Sequence, residues 1–203
     1  MLTDLSSVWF ENPHAGQKFR ILSLPTREWP GRFMLEYIYR PFTGETAVPA
    51  HYHPGATETF DVLAGQARYR LQGREESAKP GDQIVMPAGI PHVHPWSASD
   101  EPLHVRQTAE TQPADPAGII ASLQAQITLF GLAAAGKVNK AGLPGLLQLA
   151  VLAQATMPAT FLARPSSSVQ RILFGTLAHC GSLLGYRTAY APYGILTTDG
   201  LQS

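Results

Sequence analysis

The chain changes its hydrophobic period once, at Thr111-Gln-Pro-Ala-Asp-Pro116. Before that segment, from about residue 19 to 108, apolar residues come in short alternating runs. After it they recur about every 3.6 positions. Phe33-Met-Leu-Glu-Tyr-Ile-Tyr39 places aromatic and aliphatic residues on one face of a strand, and Glu58–Leu63, Ala67–Leu71, Gln83–Met86 and Leu103–Thr108 read as further strands. Gly65-Gln, Gly73-Arg, Pro80-Gly81-Asp and Pro87-Ala-Gly89 cut the runs as hairpins and barrel corners require. Regular short strands with such turns indicate an antiparallel barrel or jelly roll. The expected division is a β-barrel unit over 1–112 and a helical unit over 113–203.

In the second unit Ile119, Leu123, Ile127 and Phe130 line one helix face, with Ser122, Gln124, Gln126 and Thr128 on the other. Asp115 before Pro116 is an N-cap with proline at the first helical position. A second helix is expected from about Leu143 to Leu162. A third begins near Ser167 or Ser168, where Ser167-Ser-Val-Gln170 has capping-box spacing. That helix carries Val169, Ile172, Leu173, Leu177, Cys180 and Leu184 toward one side and stops at Gly185. Cys180, the single cysteine, excludes an internal disulfide, and its apolar surroundings read as a buried thiol.

Residues 116–136 and 141–163 contain no charged side chain, so length alone allows a bilayer span. Both following loops are basic (Lys137 and Lys140, then Arg164 and Arg171), whereas two successive spans would put them on opposite sides of a membrane. The preferred expectation is helices packed on the barrel or at a homodimer interface, and the next is a helical surface lying on a membrane or apolar partner.

Charged residues are only 15% of the chain. The first 115 residues carry 10 Lys/Arg against 14 Asp/Glu and the remainder 5 against 1, so the halves balance at −4 and +4. No basic, aromatic-interleaved patch suggests nucleic acid. Met1-Leu-Thr-Asp-Leu-Ser-Ser has neither a basic nor an apolar leader segment, and the expectation is a cytoplasmic protein, with peripheral membrane contact left open.

The chemistry-bearing residues sit in the first unit. His51-Tyr52-His53 puts two imidazoles on one strand face. Glu58 follows across a short turn, and His92 closes a turn-rich block beginning at Gly81. Three imidazoles and a carboxylate suit a divalent transition metal. The two stretches resemble the paired motifs of the cupin family. The first reads Gly44, six residues, His51-Tyr-His53, four residues, Glu58, six residues, Gly65. The second reads Gly81, five residues, Pro87-Ala-Gly89, two residues, His92, three residues, Trp96. The first gap is one residue longer than the family's usual spacing, and Trp96 stands where the family usually has Asn. The resemblance spans roughly residues 32–110.

The resemblance implies a mainly β, cupin-type barrel, here followed by an α-helical region. It implies one divalent metal (Fe, Mn, Ni or Zn) held by His51, His53, Glu58 and His92. A six-coordinate ion with those ligands keeps two positions free. Glu58 would be a ligand first and a catalytic proton acceptor only on leaving the ion. A small-molecule dioxygenase-like oxidoreductase is the leading expectation, with an isomerase or lyase as other enzymatic possibilities. The non-enzymatic alternative is a ligand-sensing barrel whose tail engages a membrane surface or protein partner. Tyr37, Tyr39, Tyr52, Tyr69 and Trp96 are candidates for the apolar pocket wall, and Trp96 for a cap on it. His94 reads as a loop histidine, a donor behind the ligands or a substrate contact in the pocket, and His104 as a pocket candidate pointing into the barrel.

Overall fold

The computed structural model describes residues 5–41, 49–157 and 159–196. Gly44 of the first motif, the first four residues of the N-terminal segment and Pro158 lie outside them. Among the described residues ten strands precede the α-helices: β1 (Phe10–Asn12), β2 (Gln17–Ser23), β3 (Arg32–Tyr39), β4 (His51–Tyr52), β5 (Ala56–Ala64), β6 (Ala67–Leu71), β7 (Arg74–Ala78), β8 (Gln83–Met86), β9 (His92–Ser97) and β10 (Leu103–Thr111). There follow α1 (Pro116–Ala134), α2 (Leu146–Thr156), β11 (Phe161–Leu162) and α3 (Ser167–Leu183). The strands form two antiparallel sheets, in the orders β1-β2-β3-β10-β5-β8 and β11-β4-β9-β6-β7.

Alternation decides what each strand buries. On β5, Glu58, Phe60 and Val62 point inward, and on β10 Leu103, Val105, Gln107 and Ala109 do. The register sets Val105 between Tyr37 and Val62, and Ala109 between Phe33 and Glu58. The small Ala109 therefore leaves space beside the carboxylate. Gly65 shows why the first motif ends in glycine: φ is +77°, and a Cβ there would lie 2.3 Å from the Pro102 carbonyl oxygen.

Opposite parity places Glu36 and His104 on the outer face, where the His104 imidazole meets Glu36 together with Arg20. Burial alone would raise the Glu36 carboxyl, but Arg20 and His104 outweigh it and hold it below the ordinary 4.5. Stability from this ion cluster is complete above pH 4.5 and disappears as pH falls through the lower folded-state value. Glu36→Gln is expected to cost about 1–3 kcal/mol at neutral pH. Urea titrations should show the gap to the parent closing in acid; a pH-independent gap would refute the cause.

α1 runs as its period predicts. The Asp115 side chain accepts from Gly118 N at 2.9 Å, and Ile119, Leu123, Ile127 and Phe130 join the barrel's own core. Phe130 meets Phe19 edge-on at 4.8 Å, and Gln126 donates to the Tyr37 hydroxyl at 2.6 Å. α1 thus packs on the β1-β2-β3 side of the six-stranded sheet. By length and composition alone it is also apolar enough to cross a membrane. On its polar side Gln124 and Thr128 are buried. Gln124 donates to Gly194 O (3.1 Å) and accepts from Leu196 N (2.7 Å), while Thr128 donates to Thr188 O (2.7 Å). The segment after α3 lies over Gln124 and Thr128 and satisfies both.

The second helix is shorter than its apolar run suggests. It ends at Thr156, and Met157 is extended, the conformation favoured before a proline. Phe161 and Leu162, expected in that helix, instead form β11 against Tyr52 and His51 of β4. The third helix starts at Ser167, but Ser166 is its N-cap and no side-chain capping bond forms. Gln170 is buried and bonds Leu162 N, Leu162 O and Pro165 O, tying α3 to β11. The helix turns Gln170, Ala178 and Gly181 inward. Its expected apolar face is exposed, with Ile172 73% and Leu184 71% accessible, and Cys180 is exposed rather than buried.

Candidate metal centre

β4 and β9 pair His51 with His92; His53 follows directly after β4, and His94 lies two residues further along β9. All four rings reach one cluster. Glu58 of β5 meets them from the facing sheet. His51, His53, Glu58, His92 and His94 each offer one ligand atom, and these atoms all lie within 4.8 Å of one another.

The unshared nitrogens are fixed by carbonyls behind the rings. His51 Nδ1 lies 2.9 Å from Pro49 O and His92 Nδ1 2.8 Å from Ile90 O. His53 Nδ1 lies 3.2 Å from Ala159 O and 3.0 Å from Thr160 Oγ1. A backbone carbonyl only accepts, so Nδ1 carries the proton and Nε2 presents its lone pair inward. The Nε2 atoms of His53 and His92 are buried without a hydrogen-bond partner. They approach Glu58 Oε2 to 3.4 and 3.2 Å. Glu58 Oε1 accepts from Gln107 Nε2 at 2.6 Å, which orients Oε2 toward the rings. Inward lone pairs converging on one carboxylate oxygen fit a bound divalent cation.

Charge follows the same pattern. Burial would raise the Glu58 carboxyl, but His94 and His53 drive it well below the usual range. Burial, with His94 and His53 nearby, pushes His51 well below the usual imidazole value, which keeps it neutral and able to ligate. Burial also opposes charge on His53, but the Glu58 carboxylate overrides it and raises that imidazole.

A cavity of about 450 Å³ reaches His53 and Glu58. The barrel contributes Phe33, Pro54 and Ala109 to its wall, α1 adds Ile119 and Ser122, and the tail adds Thr160, Phe161 and Arg171. The barrel and the helical region therefore build the site together.

The structure brings His51, His53, Glu58 and His92 together and adds His94, which lies on β9 and not in a loop. The other pocket candidates do not line this cavity. Tyr37 and Tyr39 stack at 5.6 Å within the core. Tyr52 points away from its histidine neighbours and stacks on Phe161 at 5.8 Å. Tyr69 donates to Glu76 at 2.7 Å. Trp96 is buried, with the Arg70 guanidinium 5.8 Å from its ring centre, and does not cap this cavity. His104 belongs to the outer-face cluster with Glu36. Sequence reasoning missed Gln107 and Thr160. Gln107 was findable, because it shares inward parity with Leu103 and Val105 while His104 does not.

Residues 42–106 match the family model described as "Cupin domain". No curated protein matches the chain. Among solved structures, KdgF from Halomonas sp. is similar at 17% identity with a TM-score of 0.42, over 51% of this chain and 86% of that one. The cupin domain of an XRE-family transcriptional regulator from Enterobacter cloacae is similar at 17% identity and TM-score 0.38, over 47% and 96%. DMSP lyase DddQ from Ruegeria pomeroyi is similar at 26% identity and TM-score 0.34, over 40% and 39%. Two antiparallel sheets, the paired motifs and the family match agree: residues 42–106 of this chain match a cupin domain.

Proposed function

We propose that this cupin binds one divalent transition metal through His51, His53, Glu58 and His92 and uses it to convert a small, largely apolar molecule, in an oxygenase-type reaction. The observation that carries this reading is the opening of the His and Glu cluster onto a cavity walled by Phe33, Ile119 and Phe161. When bound, Fe, Mn or Ni would supply Lewis-acid or redox chemistry. The chain's own residues do the rest. The apolar wall excludes water and holds the body of the substrate, and the Ser122 hydroxyl, buried without a hydrogen-bond partner, is available to orient a polar atom on it. Gln107 and the carbonyls behind the imidazoles keep the donors aimed.

Oxygen uptake by Fe(II)-loaded protein across catechols, flavonols, thiols and β-diketones tests the reaction type. Substrate-dependent uptake supports an oxygenase. Turnover without uptake would move the assignment to an isomerase or lyase. A second reading, a non-catalytic ligand sensor, is favoured by the exposed stripe of Val169, Ile172 and Leu173 on α3, which suits contact with a second copy, another protein or a membrane surface. Ligand binding without turnover, together with self-association or vesicle binding, would select it.

A further inference from the structure

We propose that His94 is a fifth protein ligand to this metal, so that a six-coordinate ion keeps one exchangeable position instead of two. The inference rests on the metal-site reading above and deepens it. His51 on β4 pairs with His92 on β9, His53 follows directly after β4 and His94 lies two residues further along β9, and all four imidazoles offer a ligand atom to one cluster with Glu58. The His92 and His94 rings lie parallel, 6° apart in plane, and Phe60 packs 5.1 Å from the His94 ring.

The distances between donor atoms suit coordination of one ion. Adjacent ligands on an octahedral ion with bonds of about 2.1 Å stand about 3.0 Å apart, and opposite ones about 4.2 Å. His94 Nε2 lies 2.9 Å from Glu58 Oε2 and 3.2 Å from His51 Nε2, as an adjacent ligand should. The His92 and His53 contacts with Glu58 Oε2, at 3.2 and 3.4 Å, belong to the same series. The same Nε2 faces both Glu58 Oε2 and His51 Nε2, and the ligand atoms of all five residues lie within 4.8 Å of one another.

The consequence is selective. A substrate meeting the metal through one atom fits the remaining position, whereas one that chelates through two atoms must displace a side chain.

Mn(II) loading with water-proton relaxation, which counts bound waters, tests this directly. The wild type should take up one Mn(II) per chain and show one exchangeable water. His94→Ala should show two and bind Mn(II) about 10–100-fold more weakly. Two waters in the wild type would overturn the proposal whatever the variant does, while leaving the four-ligand site intact. Absence of a bound Mn(II) in the wild type would overturn both readings. Should His94→Ala fail to fold, the wild-type water count still decides.

Discussion

A chain ending at Thr111 will not yield a soluble, metal-competent barrel. Ile119, Leu123, Ile127 and Phe130 of α1 are part of the barrel's own core. Each large apolar side chain contributes about 1.5–3 kcal/mol on full burial. Losing four such residues removes an amount comparable to the entire stability of a typical domain, about 5–15 kcal/mol. The same cut exposes Phe19 and Tyr37 on the sheet face. It also removes β11, the edge partner of β4, and the Ala159 and Thr160 oxygens that hold His53. The expected result is aggregation, read as loss of soluble protein and of a monodisperse chromatographic peak. A soluble, folded truncated barrel with parental metal affinity would show that the helical region is an appendage.

Glu58→Ala should abolish tight metal binding while the barrel remains folded. Glu58 is the only carboxylate in the cluster, and its Oε2 is the atom on which the imidazoles of His53, His92 and His94 converge. Without it, several buried imidazoles surround an incoming dication with no compensating negative charge. Affinity should fall by at least about 100-fold. The fold should tolerate the change, because the buried carboxylate itself carries a desolvation cost that its removal relieves. Gln107 is left without its partner, a loss of about 1–3 kcal/mol. Isothermal titration with Mn(II) or Co(II), alongside circular dichroism, reads both effects. Parental affinity in the folded variant would exclude Glu58 as a ligand.

The strands were legible because inward and outward residues alternate without interruption, as on β5 and β10. The ligand cluster was legible because His51, His53, Glu58 and His92 stand at fixed spacings around turns that glycine and proline mark. α1 announced itself through both its period and its Asp115 cap. What stayed hidden depends on long-range contacts. β11 is two residues long inside an apolar run, and such a run reads equally well as helix. Gln170 has capping-box spacing from Ser167, but β11 and Pro165 offer its amide better partners. His94 shares a strand face with His92, and only the extended path of β9 past the turn makes that parity count. On α3 the apolar stripe marks a surface and not the core, because Gln170, Ala178 and Gly181 pack inward instead. Gly181 allows this close approach: a Cβ there would sit 2.9 Å from the Val151 side chain.

The central claim is that the histidine and glutamate cluster is a metal site built on the barrel and braced by the tail. Metal content per chain tests it most directly, measured by elemental analysis on full-length protein and on His53→Ala after loading and exhaustive dialysis. The account predicts one divalent ion per chain in the parent and almost none in His53→Ala, with unchanged circular dichroism. An ion retained at full stoichiometry in the folded variant, or no ion in the parent, would contradict it.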